Sequence, residues 1–178
     1  MDAPRRAAAA VARLNEGVGR VASWLLLAMT LLCAYNAVAR YLGRFVGENL
    51  TRNWLLEAQW YLFAAVFLLG APATLAADRH VRVDVLYSRL SPRGQAWVDV
   101  LGTLLFLLPL CVFGIALAYP AVRDSWAIWE QSPDPGGLPR APVKTLLPLG
   151  LLLLALQGLA MLPDKLAALT SSRAGRRP

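Results

Sequence analysis

The polar side chains that could do chemistry gather in three places beside long apolar runs. Glu57, Gln59 and Trp60 open one run, and His80, Arg82 and Asp84 follow its far end. Trp126, Trp129, Glu130, Gly136, Gly137, Leu138 and Pro139 precede the last run, inside which Gln157 stands by itself. These sets can recognise and dock; they do not compose a bond-making site. No HExxH, Walker A or dinucleotide fingerprint is present. The single histidine rules out bis-histidine haem ligation within the chain. Cys33 and Cys111 both fall inside apolar runs, so neither a disulfide nor a metal site is supported, and both are expected to be small buried side chains. An enzyme is therefore not expected, nor a cofactor or metal ion held by this chain.

Each set carries two readings. Glu57 either pairs with a basic group on a partner or on the outer loop, or faces water at the interface beside Arg52. His80, Arg82 and Asp84 form either a docking surface or a solvated loop whose arginine sets topology. Gln157 is expected to hydrogen-bond a neighbouring helix rather than a substrate.

The elements that must hold these residues are membrane-spanning helices. Of 178 residues, 57% are hydrophobic and 16% charged, and mean hydropathy is +0.48; a soluble domain carries about 25% charged residues. Val21–Ala39, Ala58–Ala77, Val100–Val122 and Thr145–Pro163 contain no Asp, Glu, Lys or Arg. Each approaches the ~20 residues that cross a hydrocarbon core as a helix. The expected fold is all-α: an integral membrane protein of four transmembrane helices, spanning about 21–39, 54–77, 96–119 and 145–162. These lie in a membrane domain of residues 21–163, with a basic arm at 1–20 and a basic tail at 164–178.

Twelve Lys and Arg residues fall in the arm, the middle loop and the tail, against six in the other two connections. That bias places both termini in the cytoplasm of a multi-pass membrane protein, and it explains the net charge of +7 without nucleic acid. Trp24 and Trp97 on one side, and Trp54, Trp126 and Trp129 on the other, support the same topology. The first run is longer than the about 7–15 residues of a signal-peptide core, so a retained first helix is expected. Between Arg40 and Trp54, the apolar Tyr41, Leu42, Phe45, Val46 and Leu50 predict either a short helix lying on the outer surface or an ordinary loop. Pro72 predicts a kink in the second helix. Ser91-Pro92 predicts a capped start to the third, which reaches about Tyr119 with Pro109 at its centre. The Pro/Gly-rich run from Ser132 to Pro139 predicts a stiff turn. No span carries an ionisable group in its middle, where a self-sufficient proton-coupled carrier would need one.

Two blocks of residues resemble a known family. The first is Trp54-Leu-Leu-Glu57-Ala-Gln59-Trp60 running into Phe67-Leu-Leu-Gly70-Ala71, then His80-Val-Arg82-Val-Asp84-Val-Leu-Tyr87. The second is Glu130-Gln-Ser132 through Gly136-Gly137-Leu138-Pro139, Lys144, Pro148, Gly150 and Leu156-Gln157-Gly158. With the four-span layout, they resemble the small, DctQ-type membrane subunit of TRAP (tripartite ATP-independent periplasmic) transporters over about Leu25–Leu162. Gln59-Trp60 and His80–Asp84 look most like the branch labelled for mannitol/chloroaromatic compounds and 2-oxo acids. The resemblance implies a large DctM-type permease partner that binds sodium and carries the transport path, and a DctP-type periplasmic protein that selects the substrate. It implies for this chain a scaffolding role in organic-acid uptake, with Glu57, Gln59, Trp60, His80, Arg82, Asp84 and Gln157 toward the permease. Trp126–Pro139 and Arg40–Asn53 are the candidates for docking the binding protein. The rival reading is a free-standing small carrier that self-associates; an accessory subunit of a redox complex ranks third.

Overall fold

The computed structural model describes residues 2–48, 50–77 and 87–171, and every regular element among them is helical. Helix α1 is Asp2–Val46, α2 is Asn53–Ala76 and α3 is Pro92–Gly102. A π-helical turn over Thr103–Leu107 joins α3 to α4, Leu108–Ala127, and α5 is Ala141–Ser171. Among the described residues, four helical stretches are long and apolar enough to cross a membrane, with α3 and α4 counting as one. His80, Arg82 and Asp84 lie outside the described residues.

Helix α1 corrects one expectation. Its 45 residues reach roughly 68 Å at 1.5 Å per residue, more than twice the ~30 Å hydrocarbon core. The N-terminal arm is part of it, because an Ala/Arg-rich sequence has high helix propensity. Tyr41, Leu42, Phe45 and Val46 also belong to it, so no separate surface helix forms there. The helix stops at Gly47, whose φ of 77° is the left-handed conformation that ends helices, and whose N–H donates to the Gly43 carbonyl at 2.9 Å.

The third span behaves as its residues predict, with one addition. Ser91 caps α3 by accepting from the Gly94 N–H at 3.3 Å, and Pro92 follows in the first turn. Pro109 has no N–H to return to the turn behind it, and a wide turn stands just ahead of it, with the Leu108 N–H reaching back to the Thr103 carbonyl. Helix α4 continues past Tyr119 to Ala127, so Trp126 lies on the helix and not in the loop.

Helix α5 is the hub, touching each of the other helices. Its packing relies on missing atoms. Pro72, fully buried inside α2, leaves the Leu68 carbonyl without its helical donor. Helix α5 passes so close to that carbonyl that a Cβ at Gly150 would stand 2.8 Å from the oxygen. The core is otherwise made of small side chains such as Ala22, Ala65, Ala96, Cys111 and Ala141, while Trp24, Phe106 and Leu117 face outward. That inversion suits helices packing in lipid, where close backbone approach replaces hydrophobic drive. Cys111 is buried as expected; Cys33 is exposed, and both thiols are free.

A side chain at position 150 should therefore push α2 and α5 apart. Gly150→Val is expected to cost about 1–3 kcal/mol by overpacking, read as a lower Tm in detergent. Gly102→Ala, where nothing lies within 4 Å, should leave the Tm unchanged or slightly raised.

Candidate functional site: a carboxylate that seats the interhelical loop

The loop between α4 and α5 is held by one stripe of α2. Asn53, Glu57 and Tyr61 recur every four residues, which puts them on one helical face. The Asn53 side-chain amide donates to the Pro135 carbonyl at 3.0 Å. The Glu57 carboxylate accepts from the Ser132 hydroxyl on one oxygen and from the Leu138 N–H on the other. The Tyr61 hydroxyl is shared between the Leu138 and Pro139 carbonyls at 3.2 and 3.0 Å. Glu57 is only 4% exposed, so these contacts replace water around a charged group. Its partners are thus a hydroxyl and a backbone amide of the loop, with Arg140 nearby, and not Arg52.

The loop sequence is fitted to that carboxylate. Pro135 and Gly136, with a φ of 72° at Gly136, form the centre of a turn closed by the Gly137 N–H on the Asp134 carbonyl at 3.0 Å. Gly137 is required for another reason: a Cβ there would stand 2.5 Å from Ser132 Cβ and 2.6 Å from a Glu57 oxygen. One glycine supplies the backbone angle and the other the clearance. The base of the loop is closed by the Arg140 N–H on the Glu130 carbonyl at 2.8 Å. The Arg140 guanidinium lies 5.9 Å from the Trp60 ring centroid, a cation–π contact that adds α2's neighbouring face.

A second polar pair locks the entry to α5. Glu130 takes the Lys144 ammonium in a direct ion pair, with both side chains about a third exposed. The hydrogen bond from Lys144 holds the Glu130 carboxyl below the usual range. The Trp126 indole N–H donates to Thr145 Oγ1 at 2.8 Å, and the Trp126 and Trp129 rings stand 5.2 Å apart at the surface.

Of the residues singled out in the sequence, Glu57, Trp60, Trp126, Trp129, Glu130, Gly136, Gly137, Leu138 and Pro139 meet at this end of the bundle. Gln59 does not join them: it lines a separate cleft against α1. Gln157 lies toward the opposite end, 3% exposed, accepting from the Asn15 side chain at 2.8 Å. That partner was not foreseen, since Asn15 falls in the basic arm, and neither were Asn53, Tyr61 or Arg140. The four-residue spacing of Asn53, Glu57 and Tyr61 was readable; the loop carbonyls they bind were not.

Both halves of this arrangement fall inside one family match. The family described as tripartite ATP-independent periplasmic transporters, DctQ component, matches residues 29–167. The chain belongs to that family. A DctQ component is a part of a transporter, not an enzyme family, and this member is a multi-pass membrane protein. It is similar to a Haemophilus influenzae protein named as a TRAP transporter small permease, with 28% identity over 113 residues. That alignment covers 64% of this chain and 62% of the relative's length. No solved structure matches the chain.

Two outcomes are expected in this DctQ component. Glu57→Ala should speed hydrogen exchange at the Leu138 amide by roughly tenfold or more, with helix content unchanged, and Ser132→Ala should produce a smaller step. Because the Glu130 carboxyl titrates below its ordinary value, the stabilisation it gives is full above the ordinary carboxylate range. It is lost as pH falls through the lowered value. Fluorescence from Trp126 and Trp129 should report that acid transition, and Glu130→Gln should abolish it.

Proposed function

We propose that the chain is the small membrane subunit of a TRAP-type secondary transporter and scaffolds a larger permease. In this reading the permease binds sodium and moves an organic acid, a 2-oxo acid or other carboxylate, that a periplasmic binding protein delivers. The observation that carries it is the division of polar groups. Glu57, Asn53 and Tyr61 are engaged by the chain's own loop, and Gln157 by Asn15. They serve the bundle's shape. The large apolar side chains turn outward, Phe106 at 75% and Leu117 at 78% exposure, which suits contact with lipid and with a second membrane protein.

The Lys and Arg bias supports a cytoplasmic location for both termini in the inner membrane, so that the loop of residues 128–140 faces the periplasm. There it is available to a binding protein as a surface of fixed shape, edged by Ile128 and Trp129. His80, Arg82 and Asp84 remain candidates for the permease side, as do Gln59 and Trp60.

The test is purification of the tagged chain from its native membrane in mild detergent, with co-eluting proteins identified by mass. A much larger multi-spanning protein at near one-to-one ratio is expected. Elution alone or only with itself would remove the scaffold reading and leave a self-associating carrier, to be checked by flux in liposomes.

A further inference from the structure

We propose that the cleft between α1 and α2 at the loop end of the bundle binds the headgroup and upper acyl chain of an anionic phospholipid. The cleft has a volume of about 430 Å³. Its lining changes character along α1: Cys33, Asn36 and Ala37, faced by Leu56 and Gln59 of α2, lie at one end, and Arg40, Tyr41 and Arg44 at the other. From 33 to 44 that is roughly 16 Å of helix at 1.5 Å per residue, about half of the ~30 Å hydrocarbon core. The charge-free run stops at Ala39, so Arg40 sits where hydrocarbon gives way to headgroups, and Arg44 sits one turn farther out. An uncharged slot, apolar except for the amides of Asn36 and Gln59, leads up to two guanidinium groups, which matches the build of a phospholipid better than that of a free anion.

Charge selects the class of lipid. Arg40 and Arg44 stand four residues apart on one face and form no ion pair among the described residues. A neighbouring hollow of about 340 Å³ shares both arginines and brings in Glu48. Arg52 stands at the start of α2 nearby in the chain, and Glu57 is already taken by the loop. The charged groups lining the two hollows are Arg40, Arg44 and Glu48, which leaves this corner positive and favours a phosphate diester without a compensating ammonium. Guanidinium groups also match phosphate oxygens in geometry. The cleft is held open from below: the Asn36 side-chain amide donates to the Leu55 carbonyl at 3.3 Å and fixes the crossing of the two helices. Lipid is present at this depth wherever the chain spans a bilayer, so no further partner is needed to fill it. The leaflet is the outer one under the orientation proposed above; binding itself does not depend on the scaffold reading.

The experiment is native mass spectrometry and thermal unfolding of the full chain, titrated with phosphatidylglycerol, phosphatidylcholine or inorganic phosphate. Phosphatidylglycerol should be retained and should raise the Tm more than phosphatidylcholine does, with inorganic phosphate inert. Each arginine near a lipid phosphate contributes about fivefold in affinity, so Arg40→Gln with Arg44→Gln should weaken phosphatidylglycerol binding roughly thirtyfold. Arg123→Gln, on α4 and remote from the cleft in sequence, should not. Ala37→Leu tests the apolar half with both arginines intact: it should fill the slot and release the lipid. Equal binding of the two lipids, retention by the arginine double variant, or an equal response to inorganic phosphate would each overturn the proposal.

Discussion

A carboxylate just inside an apolar helix must be answered by donors of its own chain or stay in water. Here the donors come from a loop 75 and 81 residues away. Much of the loop end follows from that requirement. Ser132 and Leu138 approach Glu57 from two sides, so the residues between them must double back, and only a Pro-Gly turn with a bare Gly137 makes room. The loop's last residues then deliver Arg140 to the Glu130 carbonyl and Ala141, fully buried, to the first turn of α5. Since α5 touches the other helices, the position of one carboxylate propagates into the whole bundle.

The opposite end of α5 is fixed by different polar means. Asn15 and Gln157 meet in a buried side-chain pair, and Lys165 reaches Asp99 on α3 at 2.6 Å, where Tyr87 also donates at 3.0 Å. Between these ends the helices approach each other closely, at Gly150 on Leu68 and at Gly114 on Leu151. This order of devices is what a bilayer allows. Burying apolar area gains little where the solvent is itself apolar, so hydrogen bonds at the ends set register and small residues in the middle set distance.

The sequence was informative where chemistry is local. Runs without charge located the four spans, and Ser91-Pro92 located the start of α3, because a cap and a proline act within one turn. The stiff turn at Ser132–Pro139 was equally local. What stayed hidden depends on residues far apart. Asn15 looks like part of a basic arm until a helix of 45 residues carries it against Gln157. Tyr41 to Val46 has the apolar stripe of a surface helix, and nothing in six residues distinguishes that from the end of a long one; Gly47 decides it. Cys33 and Cys111 read alike in the sequence and differ only in which face of a helix they occupy.

The two glycines and three prolines of the loop also bear on what its surface can be used for. Pro133, Pro135 and Pro139 each restrict φ before folding, so less conformational entropy is lost when the loop is seated on α2. The contacts to Asn53, Glu57 and Tyr61 then hold backbone atoms rather than side-chain tips, with Ser132 the exception. A loop anchored by its backbone leaves its own side chains free to vary outward while its path stays constant. Ile128 and Trp129 are displayed on that constant path, each half or more exposed. Shape is thereby separated from surface chemistry, which is the property a docking face needs if its partner is to meet a preformed surface instead of ordering one on contact.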